Sequence, residues 1–220
     1  MRRSPWMLLA LALWSFLVVV KSESYGVTEP REYSSPKKSM ASGAAVGAAY
    51  NAANFAVHTG GRSSNILHVI DKTSNKWYAR IDMPHKNVPF HHINVNKAVT
   101  GLKDPHIRVS GVTAHAAGMA GKAMQVVNKA APYLMLASAV YDTVDVLEDW
   151  NRGKKNEAGR KVVNAVATNA GGYYGATAGA AYGSMIFPGV GTLIGGLVGG
   201  MFGGMAGGVG GDIANDILRL

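Results

Sequence analysis

The residues best suited to chemistry are the histidines: His58, His68, His85, His91, His92 and His106, followed by His115. His85, His91 and His92 have the donor chemistry of a zinc site, since imidazole nitrogen is a common zinc ligand. A second reading makes His92 the general base of a nuclease-type centre, with Asn96 orienting it. A third leaves the histidines on a polar strand surface, where they respond to acid pH. Supporting ligands are few, because Asp82 and Asp104 are the only carboxylates near them. The chain has no cysteine, which removes thiolate ligands and nucleophiles together. The C-terminal glycines lack the Lys-Ser or Lys-Thr that completes a phosphate loop, and no serine has the flanking glycines of a hydrolase elbow. Clustered carboxylates occur only at Asp142, Asp145, Glu148 and Asp149, where they read as the solvated edge of a helix. The expectation is a protein that is not an enzyme, with no catalytic residues, no metal and no cofactor.

The histidines need strands to hold them. Ile66 to Ile70 is a short apolar run, Lys72 to Asn75 a turn, and Trp77, Ala79 and Ile81 alternate with Tyr78, Arg80 and Asp82. That period of two predicts strands. Phe90 to Val95 adds a third, giving a small β-hairpin unit near residues 64–96. Before it, Ser39 to Val57 is Ala-rich, with Gly43 and Gly47 four apart, and predicts a short helix, either a small-residue helix that packs on the C-terminal glycine stretch or a simple Ala-rich surface helix. Lys97 to Gly111 reads as loop. From Thr113 the period is helical, Pro132 breaks or restarts the helix, and Tyr133 to Trp150 carries apolar residues at three- and four-residue spacing.

The rest of the chain is organised by one uncharged stretch, Val162 to Gly211. Gly171, Gly175, Gly179 and Gly183 form one four-residue series. Gly191, Gly195, Gly199, Gly203, Gly207 and Gly211 form a second, with Gly196, Gly200, Gly204 and Gly208 beside it. Residues four apart share a helix face. Each interior glycine costs about 1 kcal/mol relative to alanine in water. In lipid the backbone must bond internally, and glycine lets two helix backbones approach closely. The spacing predicts a helical hairpin, Val162 to Phe187 and Gly191 to Ala214, with a turn at Pro188 to Gly191. Each arm reaches the roughly 20 residues that a membrane helix needs. Lys154, Lys155, Arg160 and Lys161 stand at its entrance as a candidate membrane-surface cluster, which suits the formal net charge of +9 and anionic lipid.

These glycine series resemble glycine-zipper membrane segments, and the uncharged arms resemble the hydrophobic helical hairpin of colicin-type pore formers. Arg2 and Arg3, the apolar core Trp6 to Val20, and Ser22 and Ser24 read as a signal peptide over residues 1–24. Residues 25–38 end in the dibasic pair Lys37-Lys38 and resemble the propeptide of animal venom precursors. The expected organisation continues with residues 39–111 as helix and β unit, 112–161 as amphipathic helices, and 162–220 as the glycine-zipper hairpin. The expected fold is mostly α. The expected protein is secreted, inserts in an anionic lipid membrane, self-associates through its glycine faces, binds no nucleic acid, and perturbs or perforates the membrane as a toxin or host-defence effector. The alternatives are a constitutive membrane anchor and a His-based nuclease toxin with a translocating hairpin.

Overall fold

The computed structural model describes residues 35–60 and 65–220. The signal-peptide reading, the part of the propeptide reading before residue 35, and Gly61 lie outside the described residues. The described chain is mostly helical with one small antiparallel sheet. In chain order it runs α1 (Pro36–Asn54), β1 (Phe55–Thr59), β2 (Asn65–Asp71), β3 (Lys76–Asp82), β4 (His92–Val95), α2 (Lys97–Thr100), β5 (Ile107–Arg108), α3 (Gly111–Asn151), α4 (Lys155–Ile186) and α5 (Val190–Leu218).

The sheet is a meander, β1-β2-β3-β4-β5, each strand antiparallel to the next. Its inner face carries two cross-strand rows. Val57, Val69, Ala79 and Val95 form one, and Leu67, Ile81 and Ile93 the other, all buried. The strands at 55–59 and 107–108 lie outside the sequence expectation of three. β1 follows α1 with no intervening turn signal, so its Phe-Ala-Val-His-Thr merges in sequence with the Ala-rich helix. As an edge strand β1 leaves carbonyls unpaired. Gln125 Nε2 donates to Val57 O at 3.0 Å and Asn128 Nδ2 to Phe55 O at 3.2 Å, so α3 closes that edge.

Pro132 does not interrupt α3, which is continuous over its 41 residues. Proline costs the helix one backbone bond, and here it sits on the exposed side. Packing of α3 against α1, β1 and α4 holds the helix together. α1 begins at Pro36 rather than Ser39, so Lys37 and Lys38 are helical and not part of an extended segment. Lys38 lies 3.3 Å from Asp142 and 3.2 Å from Asp145.

The hairpin turn is Phe187-Pro188-Gly189, with Gly189 at φ 87, a conformation natural only to glycine. The tip inserts into the sheet. Val190 and Leu193 join the core with Leu67, Ile81 and Ile93, and Gly189 lies against Ala79 and Val69. Thr192 Oγ1 meets Ser184 Oγ at 2.8 Å and donates to Tyr78 Oη at 3.3 Å.

Candidate functional site

The two arms meet glycine to glycine. In antiparallel register Gly171 faces Gly203, Gly175 faces Gly199, Gly179 faces Gly195, and Gly183 faces Gly191. At each position an added Cβ would overlap the carbonyl oxygen of the facing glycine. Gly207 meets Ala167 in the same way, and Gly211 meets the Asn164 side chain. Such an approach sets Cα hydrogens against carbonyl oxygens, a weak but repeated attraction.

The companion series does equivalent work on the adjacent face. Gly196, Gly200 and Gly204 lie against α1, where Gly43 meets Gly200 and Gly204, and Gly47 meets Gly196 and Leu197. Asn51 of α1, wholly buried, donates from Nδ2 to Leu193 O at 2.7 Å. On α4 the corresponding positions Gly172, Ala176 and Ala180 are buried too. One α-helical residue advances about 100°, and the arms run antiparallel, so residues following each zipper glycine in both arms face the same side. That side is covered by α1.

Residues preceding each zipper position face the other side; Val190, before Gly191, is buried in the sheet core, and the large side chains beyond it are uncovered. On α4 these are Val166, Tyr174, Tyr182 and Ile186, and on α5 Ile194, Val198 and Phe202, all exposed. Tyr174 is 73% and Ile186 84% exposed. The hairpin is therefore a two-helix slab with one face seated on the protein and one uncharged apolar face open. α3 flanks the slab rather than shielding this face. Of the two arms, α5 alone is apolar and long enough to cross a membrane, and 28% of its apolar window is buried. α4 has the length, but its Asn, Thr and Tyr content lowers its hydropathy.

The far end of the slab is polar. Asn164 Nδ2 donates to Asp212 Oδ1 at 2.8 Å, and Asn215 Nδ2 to Asn164 Oδ1 at 3.0 Å and to Arg160 O at 3.2 Å. Arg160 Nη1 donates to Leu220 O at 2.8 Å. The sequence reading attached no role to Asn164, Asp212 or Asn215. Their signal is slight: polar residues at the two ends of an otherwise apolar hairpin.

The four candidate membrane-surface cations all have partners within the chain. Lys161 binds Asp145 at 2.8 Å and also pairs with Asp149. Burial alone would lower its pKa, but the hydrogen bonds it donates to these two carboxylates raise it well above the usual lysine value. Arg160 reaches Asp216 as well as Leu220, Lys154 binds Glu157 at 3.0 Å, and Lys155 lies over the Trp150 ring. Asp142, Asp145 and Asp149 face Lys38 and Lys161 instead of forming a solvated edge. Burial raises the Asp145 pKa, but bonds from Lys161 and the charge of Lys38 outweigh it, and the carboxyl sits below its ordinary value.

The histidines assemble differently from either chemical reading. On the outer sheet face Asp82 is paired with His92, and Arg80 with Asn94. Arg80 Nε and Asn94 Nδ2 both donate to Asp82 Oδ2, at 2.8 and 2.6 Å. His92 is wholly buried. Its Nδ1 lies 2.9 Å from Phe90 O, and its Nε2 faces Asp82 Oδ2 at 4.0 Å. The rings around it are His85 at 5.2 Å and His106 at 5.3 Å, not His91. His91 lies against Gly111 in a shallow cleft with Pro84, Phe90 and Arg108. Asn96 caps α2 through Ala98 N and does not orient His92. Among the described residues no three His, Asp or Glu side chains are placed to hold a metal ion. Burial, with Arg80 and His58 nearby, holds His68 below the usual imidazole pKa.

The fold and the site define a glycine-zipper helical hairpin latched to a small β-sheet. Residues 151–210 match the family described as the C13G5.2-like glycine zipper domain, and residues 38–127 match the C13G5.2-like N-terminal domain. The chain is similar to the Caenorhabditis elegans protein named Uncharacterized protein C13G5.2, with 42% identity over 153 residues, or 65% of this chain. It spans 44% of that relative's length. No solved structure matches. The family match supports the glycine-zipper reading. No colicin or venom family is among the matches.

Proposed function

We propose that this protein acts at a lipid membrane through the open face of its glycine-zipper hairpin. The observation that carries the reading is the uncharged outer slab, from Val166 and Tyr174 on α4 to Val198 and Phe202 on α5. Exposed apolar surface of this extent marks a contact surface, and the absence of charge from Val162 to Gly211 suits acyl chains. In the sharper form of this proposal the protein is a secreted membrane-perturbing or pore-forming effector, a toxin or host-defence protein, and not an enzyme. Its hairpin docks by the open face, leaves the sheet at Val190 and Leu193, and then inserts. Self-association through glycine faces requires those faces to exchange their present partners within the chain. A reading as a constitutive anchor draws support from the opposite fact, since both glycine faces are already zipped and the tip is seated.

Flotation of the purified chain with vesicles of mixed neutral and anionic lipid tests the common part. Recovery with the vesicles is expected, and protein remaining at the bottom of the gradient overturns the membrane reading. Dye release from the same vesicles then separates the two forms: release supports the effector, and binding without release supports the anchor.

A further inference from the structure

Paired basic residues are the mark that one class of secretory serine endoprotease reads. The described residues hold three such pairs: Lys37-Lys38, Lys154-Lys155 and Arg160-Lys161. Such an enzyme takes the chain in extended form across the cut, with the last basic side chain in an acidic pocket. The fold decides which pair can comply. Lys37-Lys38 lies in the first turn of α1, and Lys38 Nζ is held 3.3 Å from Asp142 and 3.2 Å from Asp145. The residues that follow are helical and seated: Ser39 and Ser42 are buried, and Gly43 meets Gly200 and Gly204. Arg160-Lys161 lies within α4, and Lys161 is taken by Asp145 and Asp149.

Lys154-Lys155 differs from both. It falls in the connection between α3 and α4, within an unbroken run of exposed residues from Trp150 to Glu157. Gly153 turns the chain there at φ 79. Lys154 binds Glu157 and Lys155 lies over the Trp150 ring, so both lean on residues that are themselves exposed. Lys155 and Asn156 open α4, where backbone N–H groups have no partner within the helix, so drawing them out breaks little. Arg152, two residues before Lys154, adds a third cation ahead of the cut.

We propose that the Lys155–Asn156 bond is a processing site for an endoprotease of this class. Hydrolysis adds one water across the amide, leaving a carboxylate on Lys155 and an α-ammonium group on Asn156. The cut falls near the start of the glycine-zipper match, residues 151–210, and severs the hairpin from α1, the sheet and α3. The product is a two-piece protein with its hairpin still seated. α1 holds the glycine face, Val190 and Leu193 stay in the sheet core, and Lys161 keeps its ion pairs. The structure thus moves the processing site from Lys37-Lys38 to Lys154-Lys155. Its use in nature rests on the secreted form of the membrane reading, which brings the chain to such enzymes, whereas the exposure of the bond does not.

Digestion of the folded full chain by a dibasic-specific endoprotease tests the assignment. Mass spectrometry should find one piece ending at Lys155 and one beginning at Asn156. They should form about a hundredfold faster than any cut after Lys38, because proteolysis follows local opening. Lys155→Gln should remove the cut and leave the circular dichroism spectrum unchanged. The nicked protein should elute from gel filtration as one species and part only in denaturant. A first cut after Lys38, or a chain left whole, overturns the proposal, and so does undiminished cutting of the Lys155→Gln variant. Pieces that separate in plain buffer overturn the seated two-piece form. None of these readouts involves lipid, so a failure here and a failure of vesicle flotation are told apart.

Discussion

The glycines of the hairpin are alike in sequence and unlike in place, and substitution separates them. At Gly175 a Cβ would overlap Gly199 O, so the arms must part. Gly175→Ala is expected to destabilise by about 1–3 kcal/mol, the usual cost of overpacking. Gly210 has nothing within 4 Å, so Gly210→Ala should stabilise by about 1 kcal/mol through helix propensity alone. Urea midpoints that move together would show that the zipper contact does not exist. The ion cluster at Lys161 gives a pH dependence with a definite sign. Asp145 has a lowered folded pKa, so its contribution is present above the unfolded carboxylate value near 4 and is lost as pH falls through the lower folded value. Lys161 has a raised folded pKa, so its contribution is complete below the unfolded value near 10.4 and is lost only at higher pH. Asp145→Asn should therefore cost about 1–2 kcal/mol at neutral pH and much less at about pH 2, read from thermal melts. An equal cost at both pH values would assign the loss to packing.

At the scale of elements, α1 is the third member of the zipper. At Gly47 a Cβ would lie 2.7 Å from Gly196 O and 3.1 Å from Leu197 Cα, both backbone, which cannot yield. Gly47→Val is expected to lift α1 from the hairpin and cost about 3 kcal/mol, while the zipper between α4 and α5 persists. Hydrogen exchange should show α1 amides losing protection first, and uniform loss across all three helices would contradict that order. The four-residue spacing of Gly43 and Gly47 allowed this packing, beside a plain surface helix, and contact with Gly196, Gly200 and Gly204 decides for it. The orientation of α3 had no such signal. Its apolar spacing marks a stripe without fixing which way it faces, and the cations that recruit its acidic side, Lys38 and Lys161, lie on other helices. The strand β1 was hidden for a related reason, since its pairing with β2 satisfies a backbone that local propensity left ambiguous.

For the whole molecule, the consequence is a slab with a seated face and an open face. Val198→Lys with Phe202→Lys places two cations on the open face without touching the zipper. Vesicle flotation should fall at least tenfold with the melting temperature unchanged, and undiminished flotation would move the lipid contact elsewhere. The His92 cluster is a buried polar support of the outer sheet, held by Asp82, Phe90 O and the rings of His85 and His106.

The sequence by itself determined the hairpin, because glycine at every fourth position is a local code: helical periodicity turns it into a stripe without reference to any other segment. It also determined the strand character of Trp77 to Ile81 and the helical character of α3. Only the tertiary structure decided which side of the slab stays bare, that the hairpin tip sits in the sheet core, and that the basic cluster turns to internal carboxylates. Those outcomes depend on contacts between distant segments, where burial and charge pairing choose among faces that local periodicity leaves equivalent.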